Sequence, residues 1–518
     1  MRSTSRFAVA LLLFVSVSLG TMDRPRAAAS AGWDGDENRQ IEHVLLISLD
    51  GFHDFDLDNY VGAHPDSALA SLVARGVRYT NATTSSPSDS FPGTLAMVTG
   101  GSPASTGVYY DVSWDDSLSP AGTDCSTHGA LVPFNESINV STSVRLPAAI
   151  NPAKLPLDPG AGCTPVYPHQ YLRVNTVYEV IKAAGLRTAA CDKHPSYEIL
   201  NGPSGAGVDD LFTPEINPDK KDIGKTIAND ELKVVAVLNQ IAGYASVDDA
   251  HLTLVGVPAI FGMNFQAPNI GQKFSGYVDA AGTTPAAVAT LGAKAGFAPG
   301  LAQAFDYVDA ALGRMLNALE AQQLTGSTLV IVTSKHGNSP VDRTQLRPID
   351  PAATLVALIN SVQPGLAAQV TDDTNALIWL RDHSRAAEVA AALQANADAI
   401  GAESIYVGDQ IDALFDGELA GNPSRRPDII VEPVNGVVYA AAGSKLADHG
   451  GFHNEDLRVP LVVVYPGREP GTVTSPVSLR QIAPTILKAL HLRKNDLDAV
   501  RLENTPKLPG LDDDDQQD

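Results

Sequence analysis

The residues with chemical potential in this sequence are carboxylates, lysines and histidines that stand in short polar clusters, each directly after an apolar run. Asp50 follows residues 43–49. Asp192, Lys193 and His194 follow the run ending at Cys191, and Lys335 and His336 follow residues 327–334. In an open parallel sheet, ligands bind outside the carboxyl ends of the strands, so three such clusters converge on one edge. A single aspartate after a strand is ordinarily a turn former or helix cap, and only the repetition points to a site. Ser90 opens the segment Ser-Phe-Pro-Gly-Thr-Leu-Ala-Met-Val-Thr-Gly. Pro92 suits the first turn of a helix, which puts Ser90 at or just before a helix N-terminus. A serine there is either an N-cap or, beside a metal-bound carboxylate, a nucleophile whose ionisation the helix end favours.

The elements that must hold these groups are legible as alternating patterns. Residues 43–49 form a continuous apolar run, the signature of a strand buried on both faces. Similar runs recur at 187–191, 251–257, 327–334 and 459–465. Helical spacing occupies 66–75, 174–184, 230–242, 300–323 and 479–490. Strand and helix in alternation predict an α/β fold, a mainly parallel sheet with helices on both faces. Residues 112–170 are loop-rich. Residues 340–447 contain a helical stretch at 386–397, short strands and a turn-rich segment at 421–427, and read as an inserted subdomain or cap on one catalytic domain spanning 40–495. Residues 496–518 read as an acidic tail.

At 518 residues and 44% hydrophobic composition, the chain can bury a large core. A net charge of −23 argues against a nucleic-acid binder that relies on a basic surface. It leaves small anionic substrates open, since one local cation can reverse the field. Arg2 and Arg6 precede an apolar run from Phe7 to Leu19, and Ala27-Ala28-Ala29 follows. This pattern predicts a signal peptide over residues 1–31 and a secreted or periplasmic protein. The run falls short of the about 20 residues that span a bilayer, and no later stretch is long and apolar enough. Export permits disulfides. Cys125 and Cys163 lie in similar loop contexts and bracket a segment rich in Pro, Ser and Asn, so they are the expected pair. Cys191 ends an apolar run and is the expected buried free thiol.

Taken together, Leu49-Asp50-Gly51-Phe52, Ser90-Phe91-Pro92-Gly93 with Val98-Thr99-Gly100, Ser334-Lys335-His336-Gly337 and Asp448-His449-Gly450-Gly451 resemble the type I phosphodiesterase/nucleotide pyrophosphatase branch of the alkaline phosphatase superfamily. Order and spacing match from about residue 43 to residue 490. The resemblance implies an alkaline phosphatase-like fold and a site for two zinc ions. One ion is held by the first-strand Asp, the nucleophile and an Asp-His pair. The other is held by an Asp-x-x-x-His element and a late His. Carried over, Asp50, Ser90 and His336 match the first set, and His449 matches the late His. Ser90 stands where this branch usually has a threonine nucleophile. Three departures follow. Lys335 replaces the Asp of the Asp-His pair, and a charged ammonium cannot ligate a cation. The Asp-x-x-x-His element is expected after the run at 251–257, yet residues 258–266 hold no carboxylate or imidazole. Asp111 stands where the resemblance expects a phosphate-binding Asn.

Three readings therefore stand open. One ion remains, and Lys335 supplies positive charge where the second would lie. Alternatively, Asp111, Asp192 or His194 replaces the lost ligands. In the third reading, the fold persists as a non-catalytic exported binding protein. Asn264 and His453 are candidate substrate contacts. The leading expectation is an exported hydrolase of a small phosphate ester, a diester or pyrophosphate, that depends on a divalent metal, zinc by preference, with one or two ions. Ser90 attacks phosphorus and forms a covalent phospho-enzyme, which water then hydrolyses. A sulfatase or a phosphotransferase is the alternative within the superfamily.

Overall fold

Residues His43–Leu49 form strand β1, buried along its length except at His43. A strand covered on both faces needs neighbours on both edges, and it has them in β5 (Ile260–Phe265) and β6 (Thr328–Thr333), each parallel to it. The other strands are β2 (Val77–Tyr79), β3 (Ala189–Cys191), β4 (Asp210–Phe212), β7 (Leu461–Val464) and β8 (Gly471–Val473). They complete an eight-stranded sheet in the order β8-β2-β7-β6-β1-β5-β3-β4. Strand β7 runs antiparallel to both of its neighbours, and the remaining pairings are parallel. This is a computed structural model, and it describes residues 41–143, 146, 148–216, 219, 221–279, 296–415 and 424–511. The expected signal peptide, residues 1–31, lies outside them.

Alternate side chains of β1 feed two cores, as the two-residue period of a strand requires. Val44 and Leu46 pack with Leu95 and Val98 of helix α1 (Ser90–Thr99) and with Ile482 and Ile486 of a late helix, Ile482–Ala489. Leu45 and Ile47 pack with Val234 and Val237 of a helix at Ile223–Ile241, and with Phe305 and Leu312 of a helix at Pro299–Ala321. The sheet is thus covered on both faces.

Residues 347–439 include a separate antiparallel sheet of Ala367–Asp372, Ala376–Leu380, Ile429–Pro433 and Ala402–Val407. It has its own core around Ile378, Val389, Leu393 and Val431. Trp379 on its opposite face packs with Tyr109, Tyr110 and Trp114, which follow α1 in the chain. Cys125 and Cys163 are disulfide-bonded, and Cys191 is a buried free cysteine. No helix among the described residues is long and apolar enough to cross a membrane.

Two expectations need correction. The run at 251–257 is not a strand: Leu252 and Leu254 are exposed, and the strand beside β1 is Ile260–Phe265. Gly262 and Asn264 disguised it, since a central strand is expected to read as unbroken aliphatic sequence. Gly262 has a function there. Its φ is +154°, and a Cβ would collide with the backbone of Leu46 on β1. The second correction concerns the tail. A helix at Asp498–Glu503 is folded, and Leu497, Val500, Leu508 and Leu511 belong to the core. Of the expected tail, residues 512–518 lie outside the described residues.

The close approach of β5 to β1 sets an expectation for Gly262→Ala. It should lower stability by about 1–3 kcal/mol, the scale of overpacking, read as a lower denaturant midpoint with an unchanged slope. An unchanged midpoint would mean that the two strands are not held this closely.

Candidate active site

Asp50 lies just past β1 and has no exposed surface. Its backbone N–H donates to the Phe265 carbonyl at 2.9 Å, which fixes it between β1 and β5. Its Oδ2 accepts a hydrogen bond from the Lys193 ammonium at 2.9 Å. Its Oδ1 is 3.6 Å from both the Lys335 Nζ and the His336 Nε2. Burial alone would raise its pKa, but the Lys193 and Lys335 ammonium groups overcome that and hold it well below the ordinary carboxylate range.

Ser90 is the first residue of α1, and the cap is Asp89, whose carboxylate accepts from the Phe91 N–H. The Ser90 hydroxyl is therefore not spent on capping. It accepts a hydrogen bond from the same Lys193 ammonium at 3.3 Å. Helix α1 is held to the strand opposite by Gly93, where any Cβ would strike the Lys335 carbonyl. That carbonyl also accepts from the Thr84 hydroxyl at 2.5 Å.

The Ser90 hydroxyl faces a cavity of about 280 Å³ lined on its polar side by Asp111, Lys193, His194, Asn269, Lys273, Asp373, Lys445, Asp448 and His449. Phe91, Phe134, Ile216, Ile270 and Phe274 form its apolar wall. Asn269 and Lys273 belong to helix α2 (Ala267–Phe274), which follows β5. They reproduce the four-residue spacing of the Asp-x-x-x-His element with an amide and an amine. This element was sought too early in the chain because β5 was misplaced. Asp373, from a turn of the separate sheet, and Lys445 were also missed, and nothing local in the sequence marks them.

The structure sorts the candidate residues. Ser90, Asp111, His194 and His449 reach the cavity. His336 lies behind it, its ring 4.1 Å from that of His449. Lys335 meets Ser90 only through Tyr197, whose hydroxyl is hydrogen-bonded to both. Its ammonium donates to the Tyr197 hydroxyl at 2.6 Å and lies 3.3 Å from Asp192. Together with Asp192, Asn264 and Ser48, it lines a separate pocket of about 40 Å³. Asp192 and Asn264 are thus not positioned as cavity ligands. His453 turns away toward the separate sheet, with its Nε2 2.7 Å from the Pro433 carbonyl oxygen.

The two-ion ligand set does not fit these residues. On the Ser90 side, Asp50 Oδ1 and His336 Nε2 are buried without hydrogen-bond partners among the described residues. They are two donors where zinc takes four, and the third and fourth positions belong to Lys335 and to a serine oxygen already engaged by Lys193. On the far side, helix α2 offers Asn269 and Lys273 at the spacing of the Asp-x-x-x-His element, an amide and an amine, and holds no carboxylate or imidazole. One ion does fit. His449, Asp373 and Asp448 place ligand atoms within 4.8 Å of one another, and His449 Nδ1 is buried without a hydrogen-bond partner among the described residues. Burial pushes the pKa of His336 down to about 3 and that of His449 well below its ordinary value, so both imidazoles are neutral lone-pair donors. Lys273 contacts Asp448 at 2.5 Å, and Lys445 pairs with both Asp373 and Asp448. An ion at this group would share its carboxylates with two ammonium groups.

A model of the family described as type I phosphodiesterase/nucleotide pyrophosphatase matches residues 44–456. Among solved structures, wild-type alkaline phosphatase PafA has a TM-score of 0.59 at 13% identity, covering 88% of this chain and 96% of its own. Murine ectonucleotide pyrophosphatase/phosphodiesterase 5, an inactive threonine-to-alanine variant in complex with AMP, has a TM-score of 0.54 at 14% identity, covering 88% and 96%. The human protein of the same name gives 0.54 and 14%, covering 87% and 95%. No curated protein sequence matches. The architecture is alkaline phosphatase-like.

The burial of Lys335 between Asp50 and Asp192 makes it a charge partner rather than a surface cation. Lys335→Met should therefore cost about 3–5 kcal/mol at neutral pH, the scale for breaking a buried ion pair, measured by denaturant unfolding. A loss below about 1 kcal/mol would show that these carboxylates do not depend on it.

Proposed function

This chain belongs to the type I phosphodiesterase/nucleotide pyrophosphatase family and hydrolyses phosphoester bonds; we propose that Ser90 is its nucleophile and a small phosphodiester or pyrophosphate its substrate. One observation carries the reading. The Ser90 hydroxyl opens a helix, is spared from capping, faces the cavity, and lies within hydrogen-bond reach of a lysine paired to Asp50. A helix N-terminus favours negative charge, both on the serine oxygen and on an incoming phosphoryl group.

The cavity walls support the substrate class. Lys273 and Lys445 offer positive charge to phosphoryl oxygens, and the apolar wall suits an organic substituent. Burial, reinforced by Asp89 and Asp373, pushes the Asp111 carboxyl toward its protonated form. It then donates a hydrogen bond to phosphate where an ionised carboxylate would repel it. The AMP complex of the murine relative is in keeping with a nucleotide phosphate.

His449, Asp373 and Asp448 would hold one divalent ion, and zinc suits that donor set. When bound, the ion supplies Lewis-acid polarisation of a phosphoryl oxygen. The chain's own residues do the rest. Ser90 attacks phosphorus in line, the alcohol or phosphate leaving group departs with its electron pair, and water cleaves the serine phosphate in a second displacement. Export is part of the proposal. The pattern of Arg2, Arg6 and the run to Leu19 supports it, as does the Cys125–Cys163 disulfide, which suits an oxidising compartment.

Ser90→Ala is expected to abolish turnover of a chromogenic phosphodiester and to change stability by only about 0.5–1.5 kcal/mol, the net scale of one lost hydrogen bond. Acid quenching of the wild type should trap phosphate on Ser90, located by peptide mass mapping. Turnover by Ser90→Ala near the wild-type rate would refute the assignment. Purified protein should carry close to one zinc per chain, a single ion that His449→Ala loses. Two ions per chain would contradict the one-ion site.

A further inference from the structure

We propose that Lys193 is a catalytic residue of this chain: its ammonium, bridging Asp50 and Ser90, is the fixed cation that holds the serine oxygen as the attacking alkoxide. The inference rests on Ser90 being the nucleophile.

Three observations carry it. The Lys193 Nζ donates to Asp50 Oδ2 at 2.9 Å and to Ser90 Oγ at 3.3 Å, so one ammonium joins the carboxylate and the hydroxyl. The turn that carries Lys193 is held in place: the lysine's backbone N–H donates to Asp192 Oδ1 at 2.7 Å, and the next N–H, of His194, donates to the Pro214 carbonyl at 2.9 Å. The group stays charged. Burial opposes the charge, yet Asp50 and Asp192 outweigh it and raise the ammonium's pKa. A charged ammonium is no proton acceptor, so Lys193 acts by electrostatic stabilisation rather than as a base.

The step balances without a further reagent. The Ser90 proton passes to solvent through the open cavity, and the alkoxide is held by the Lys193 N–H. The Oγ–P bond then forms as the bond from phosphorus to the leaving oxygen breaks. The leaving oxygen takes the electron pair and is protonated by solvent. Asp50 accepts from Lys193 throughout and fixes its position.

The test uses the full exported chain. Exhaustively chelated wild type should still be labelled at Ser90 by a fluorophosphonate, within about threefold of the untreated rate. Lys193→Met and the hydrogen-bonding Lys193→Gln should each slow labelling and turnover by ~10²–10³, the scale of one lost transition-state charge partner, with bound zinc unchanged. Asp50→Asn should likewise retain its zinc. Labelling that chelation abolishes and zinc restores would overturn the inference. So would loss of zinc from Asp50→Asn, or a folded Lys193→Met that labels at the wild-type rate. Labelling that never falls on Ser90, in any state, would instead refute the nucleophile assignment on which the inference rests. The chelation arm needs no variant and decides the matter even if the Lys193 substitutions fail to fold.

Discussion

A carboxylate with no exposed surface, Asp50, ends the central strand, and keeping it ionised constrains the surrounding structure. Removing such a charge from water costs several kcal/mol unless partners and hydrogen bonds replace the solvent. Lys193 arrives after β3 and Lys335 after β6, on opposite sides of β1. The strand order β6-β1-β5-β3 is what brings the two ammonium groups to one carboxylate. Any slip in that order would leave a buried charge unpaired. The sheet's register and the site's electrostatics are in this sense one constraint.

The same constraint organises the second layer. Lys335 satisfies Asp192 as well as Asp50, and Tyr197 covers its ammonium. Gly93 lets α1 approach the Lys335 backbone, so the helix carrying Ser90 and the segment after β6 that carries Lys335 and His336 are fitted to each other. The far side of the cavity is built differently. There Lys273, Lys445, Asp373 and Asp448 form a chain of alternating charges drawn from α2, the separate sheet and the loop before His449.

The sequence was legible where a residue's role followed from its neighbours in the chain. Strands β1, β6 and β7 read as continuous apolar runs because they are buried on both faces. The polar clusters after β1, β3 and β6 were readable because strand ends are where an α/β sheet exposes its chemistry. Strand β5 was not, because Gly262 meets a backbone contact with Leu46 that no local pattern encodes. That one displacement hid Asn269 and Lys273. Lys335 was the conspicuous substitution, yet the lysine that reaches Ser90 is Lys193. The choice between them depends on the turn after β3, where His194 adopts a φ of +37°, and on which face of Asp50 each ammonium meets. Asp89 was likewise overlooked as the cap that leaves Ser90 free. Asp373 and Lys445 come from far along the chain, and only the folded arrangement makes them part of the site.

The pairing of Asp50 with Lys193 and Lys335 has a consequence for how constant the positive charge beside it is. A bound ion follows a binding isotherm: its presence depends on concentration, competing chelators and the translational entropy it loses. A tethered ammonium has none of these dependences. It is present once per chain at any dilution, from the moment the chain folds. It also offers no vacant orbital, so no water or substrate oxygen can enter a coordination shell there. What meets the Lys193 ammonium must do so as a hydrogen-bond acceptor, along the directions in which its N–H bonds point.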